Sequence, residues 1–132
     1  MATVTVNARP APTIFDTTQA GVVVVDMQND FASPGGMFDC AGIDIAPIRG
    51  IVEPTQSTVA AARRAGALVV YLKMGFAPDL TDAGFPNSPT WIKHIPLNVG
   101  ADVEAPDGRP SRILVGDTWN TAIHRRPDTG AW

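Results

Sequence analysis

The sequence holds little of what most metal, redox or nucleic-acid proteins need. Cys40 is its single cysteine, which excludes an internal disulfide and fits a reducing, cytoplasmic setting. Its two histidines, His94 and His124, have no metal-ligand spacing to each other or to Cys40, so no metal or other cofactor is expected. Ten basic residues face thirteen acidic ones, and no Lys/Arg run appears, which argues against a nucleic-acid partner. No apolar run approaches the ~20 residues of a membrane span. The opening "MATVTVNARPAPTIFD" lacks the charged and apolar regions of a signal peptide. No internal repeat is present, and no G-x-G-x-x-G follows the first apolar run, which argues against a dinucleotide-binding domain.

What is present is a hydrophobic share of 45% in 132 residues, enough for one domain with a packed core. Residues 1–19 are polar and proline-bearing and read as a loose arm. "AGVVVV" (20–25) has the unbroken apolar pattern of a parallel strand covered on both faces. Pro34, Gly35 and Gly36 mark a turn. Within 45–67 a helix is expected, with Pro54 in its first turn, Arg63 and Arg64 at its end and Gly66 beyond it. "ALVVYLKM" (67–74) is a second strand. Strand, helix, strand in that order is a right-handed βαβ unit. Residues 75–111 carry six prolines and no clear period, but Phe76, Phe85, Trp91, Ile92 and Ile95 predict packing rather than disorder. A short strand is expected at Ile113–Val115. One βαβ unit leaves open sheet edges, so an incomplete domain is expected.

The chemistry begins at "GVVVVDMQND" (21–30), where Asp26 stands as the first strand stops. Ligands of open α/β sheets bind beyond the carboxyl ends of the strands, and a carboxylate there can serve as a proton acceptor. The competing reading is a helix cap or a loop hydrogen-bond acceptor. Gln28, Asn29 and Asp30 carry the same two readings, with turn and cap roles the commoner ones.

"VVVVDMQNDFASPGG" resembles the opening of the isochorismatase-like cysteine hydrolases. "GGMFDCAGIDI", "AARRAGALVVYLKMGF", "DAGFPNSPTW" and "RILVGDTWN" extend the likeness across about residues 12–121, nearest to the ureidoacrylate amidohydrolase branch. The resemblance implies a flavodoxin-like three-layer α/β/α fold with a parallel sheet, incomplete here, in one domain over 1–132. It also implies an oligomer and a cysteine-dependent cleavage of a C–N bond in a small ureido, carbamoyl or amide substrate. In that family an Asp-Lys-Cys triad does the work, and Asp26 matches its general base. The family lysine and cysteine have no counterpart in this sequence, and "HRRPDTGAW" departs from the family's continuation, so a truncated or frame-shifted chain, inactive alone, is expected. Substrate-binding positions carried over are Gln28, Asn29, Met74, Phe76 and Asp82. Met74 stands where the branch has an amide side chain. Cys40, Lys73 and His94 are weaker candidates for the site, and a buried-core or solvent role is the commoner one for each. The zinc-binding nicotinamidase branch is disfavoured, because residues 75–95 lack its Asp-x-His pattern. The alternative is a non-catalytic α/β module that binds a ligand or a partner chain.

Overall fold

A computed structural model describes residues 3–124. Strands β1 (Thr3–Val6) and β2 (Thr13–Asp16) form an antiparallel hairpin. The expected loose arm is therefore ordered, because "TVTV" and "TIF" supply the β-branched and aromatic side chains that a pleated pair favours. Asp16 caps the short turn that follows, accepting from Thr18 N at 2.9 Å. Buried Thr17 donates its hydroxyl to the Ala65 carbonyl at 2.6 Å and ties the hairpin to the long helix.

The βαβ unit is present. Strand β3 (Gly21–Val25) pairs in parallel with β4 (Leu68–Leu72), in the register Gly21 to Leu68 through Val25 to Leu72. Between them lie the short helices α1 (Asn29–Ala32), α2 (Met37–Cys40) and α3 (Ala46–Gly50), then α4 (Val52–Arg64). Pro54 sits in the first turn of α4 and both arginines sit in its last, as the sequence predicts. Val52 and Val59 of α4 are buried against Val24 and Met27. Each such valine contributes roughly 1.5–3 kcal/mol of burial.

Cover on both faces is not observed. Val22 and Val24 point to α4, while Val23 and Val25 on the opposite face are 55% and 54% exposed. Leu68 and Leu72 of β4 are exposed as well. One helix covers one face, and among the described residues nothing forms a third layer. β3 also has no strand partner on its second edge among the described residues.

The proline-rich stretch is packed as expected. It contains α5 (Pro89–His94) and β5 (Asp102–Glu104), and Phe76 and Ala83 join Met37, Ile113 and Leu114 in a second core. Phe85, Ile92 and Ile95 are exposed, however. The strand expected at Ile113–Val115 lies earlier, as β6 (Pro110–Arg112) paired antiparallel with β5. Leu114 takes a left-handed backbone, φ 53°, which ends any strand there, and Val115 keeps only an isolated parallel bridge to Phe76. The motif "HRRPDTGAW" lies, after His124, outside the described residues.

Gly36 is required where it stands. A Cβ on it would overlap the Asn29 carbonyl oxygen and approach Asp30 Cα to 2.9 Å, both backbone atoms. Gly36→Ala is expected to destabilise the chain by at least about 2 kcal/mol. Urea denaturation followed by circular dichroism measures this, and an unchanged midpoint would show that the α1–α2 junction gives way.

Candidate active site

Asp26 follows the last residue of β3. Its backbone N–H donates to Leu72 O at 3.1 Å, continuing the ladder by one rung, and its carbonyl accepts from Gln28 N at 2.8 Å. Its φ of 57° is left-handed, a conformation that costs a non-glycine residue on the order of 1 kcal/mol and that Asp and Asn tolerate best. The chain thus turns sharply at the strand end. The Asp26 side chain, with no hydrogen-bond or ion-pair partner among the described residues, lines a cavity of about 340 Å³. That volume suits a small metabolite.

The cavity walls are apolar except at three residues. Met27, Phe31, Met37, Phe38 and Met74 supply much of the surface, and Asp26, Lys93 and His94 supply the polar groups. The sequence reading reaches Met74 and His94. It does not reach Lys93. Ser88 caps α5 by accepting from Trp91 N at 3.3 Å, Pro89 occupies the first turn, and Lys93 and His94 fall in the last.

Gln28 and Asn29 lie behind the cavity and do not line it. Gln28 is fully buried, and its Nε2 donates to Met74 O at 2.7 Å while its Oε1 accepts from Met74 N at 2.6 Å. This reciprocal pair joins the ends of β3 and β4 and sets the position of Met74. Asn29 donates to Trp119 O at 2.8 Å and accepts from the Ser33 hydroxyl at 2.8 Å. That single hydroxyl proton is thereby used, so His124 Nδ1, 2.7 Å from Ser33 Oγ, is the donor to it. The Ser33–His124 contact has the opposite polarity to a serine nucleophile and its base.

Phe76 is buried in the second core and stands edge-on to the His94 ring, with centroids 5.3 Å apart. It supports the cavity from behind. Asp82 is exposed and accepts from Ala77 N at 2.8 Å, shaping the loop after Phe76. Cys40 is exposed at the end of α2, with its thiol 3.5 Å from Gly35 O, and it does not line the cavity. Lys73 is exposed and does not line it either. Among the described residues no group of three or more His, Cys, Asp and Glu side chains could hold a metal ion. No helix among them is long and apolar enough to cross a membrane.

Asp30 is the buried anchor of the region. One carboxylate oxygen accepts from Met37 N at 2.9 Å and from Asn120 Nδ2; the other accepts from Leu114 N at 2.8 Å. Burial pushes its pKa up despite these donors.

No family model matches the sequence. Among curated proteins, the chain is 39% identical over 120 residues to a ureidoacrylate amidohydrolase RutB from Methylorubrum extorquens, covering 91% of this chain and 47% of the relative. It is 38% identical over 119 residues to the RutB of Agrobacterium fabrum, covering 90% and 51%. The RutB of Azorhizobium caulinodans is 46% identical over 86 residues, covering 65% and 38%. The chain is thus related to the isochorismatase-like hydrolases. Within them its kinship is with the ureidoacrylate amidohydrolases, and it spans about half the length of the curated relatives it matches.

Asp30→Ala leaves three buried donors without an acceptor and is expected to cost about 3 kcal/mol or more. The raised pKa means that the folded state holds the Asp30 proton more tightly than the unfolded chain does. The contribution of this group to stability is therefore fully present below its unfolded value of 3.8 and declines as pH rises through the folded value. In urea titrations at several pH values, the gap between wild type and Asp30→Ala should narrow as pH rises from below 3.8. A gap that widens would mean that the donors outweigh burial.

Proposed function

We propose that this chain is the Asp26-bearing part of an isochorismatase-like cysteine amidohydrolase that acts on a C–N bond of a small ureido, carbamoyl or amide compound. The observation that carries the reading is the unpartnered Asp26 carboxylate, at the carboxyl end of a parallel strand, on the wall of a largely apolar cavity. The curated relatives, named as ureidoacrylate amidohydrolases, support the substrate class. In the family pattern a cysteine thiol attacks the carbonyl carbon and the aspartate takes the thiol proton. The amine leaves from the tetrahedral adduct, and water then hydrolyses the acyl-thioester. Asp26 has the position for the proton-accepting role.

The three-layer α/β/α arrangement, a homo-oligomer and a cytoplasmic setting belong to the same reading. The exposed Val23, Val25, Leu68 and Leu72 face supports both a further layer and association. Gln28 and Asn29 act in it as positioning residues for the strand ends, Met74 as a wall, and Phe76 and Asp82 as supports of the loop behind. The second reading, a non-catalytic binding module, is favoured by one observation. Cys40, the sole thiol of the sequence, stands outside the cavity that holds Asp26.

The test is ureide binding by calorimetry alongside ammonia release from a panel of ureido and carbamoyl compounds. The chain alone is expected to bind without turnover. Asp26→Asn, an exchange that the left-handed backbone accepts, should weaken binding of a neutral alkylurea on the order of tenfold, as expected for loss of a charged hydrogen-bond acceptor. Unchanged affinity would remove Asp26 from the site. Turnover abolished by Cys40→Ala would move the nucleophile to Cys40.

A further inference from the structure

The cavity carries two opposite charges that do not meet. Asp26 comes from the end of β3 and Lys93 from the last turn of α5, and both line it. No ion pair joins them, and neither has another charged partner among the described residues. Lys93 is exposed, so its side chain has the freedom to reach a ligand. Beside it, the His94 ring is buried and held edge-on by Phe76. Its Nδ1 is buried and has no hydrogen-bond partner among the described residues, a state that a ligand donor or acceptor would relieve. The remaining walls are apolar, so these groups are the polar anchors that the cavity offers a ligand.

We propose that Lys93, assisted by His94, is the specificity determinant of this cavity and holds an anionic group of the ligand. This rests on the proposed ureide-binding role of Asp26. A carboxylate placed at Asp26 is repelled, whereas urea N–H groups placed there are accepted. A ligand with both ends therefore has one favourable orientation, with its N–H donors on Asp26 and its anion on Lys93. The two residues act on binding and orientation, and no bond is made or broken by them.

The experiment compares an anionic ureide, 3-ureidopropionate, with a neutral one, n-propylurea, by calorimetry on the whole chain at low salt. Wild type should prefer the anion on the order of tenfold, the scale of a charge-assisted contact, with the preference falling as salt is added. Lys93→Met should abolish the preference by lowering 3-ureidopropionate affinity on the order of tenfold, and Lys93→Arg should restore most of it. His94→Phe, which keeps a ring against Phe76, should lower anion affinity severalfold and propylurea affinity less. Equal binding of both ureides to wild type, or a preference that survives Lys93→Met, overturns the assignment to Lys93 and leaves the Asp26 reading standing. Anion affinity unchanged in His94→Phe overturns the part given to His94. Binding of neither ureide overturns the Asp26 reading, and this one with it.

Discussion

The structure around the cavity depends on one buried carboxylate. Asp30 receives hydrogen bonds from the start of α2, from Leu114 and from Asn120. The farthest of these partners, Asn120, is 90 residues from Asp30 in the chain. α1 and α2 are single turns, too short to hold themselves together. Leu114 sits in a left-handed conformation that only its surroundings can maintain. Asp30 satisfies the backbone N–H groups of both places at once. The cavity walls Met37 and Leu114 donate directly to this carboxylate, so the shape of the site follows from it.

A second constraint runs along the ends of the parallel strands. The carboxamide of Gln28 holds Met74 through both of its hydrogen-bonding atoms, and Asp26 N holds Leu72 O. These bonds keep β3 and β4 in register past the point where the ladder would fray. They also fix where the chain turns, and the turn is what frees the Asp26 side chain. Gln28 thus serves the site from behind, by positioning.

These two layers differ in how legible they were. The valine run, the α4 helix with its Pro54 start and arginine end, and the second strand follow local rules of burial, capping and β-branching. They could be read residue by residue. The β1–β2 hairpin carried a signal in its alternating Thr and Val, outweighed in reading by the neighbouring prolines and polar residues. The left-handed Leu114 could not be read, because its N–H answers to Asp30, more than eighty residues away. Asp26 was legible as a candidate from its place after four valines, where a cap or loop role competes, and from the family resemblance of the motif around it. Lys93 was not, since a lysine in the last turn of a helix is already explained by the helix dipole.

The uncovered side of the β3–β4 pair bears on how far the chain stands alone. A parallel pair with β-branched residues on both faces needs cover on both, and α4 supplies it on one. Val23 and Val25 alternate with the buried Val22 and Val24, so their exposure follows from the pleat and not from a local distortion. The same strand then has an open edge beside the turn that frees Asp26. Cover for that face and edge would therefore reach the neighbourhood of the cavity.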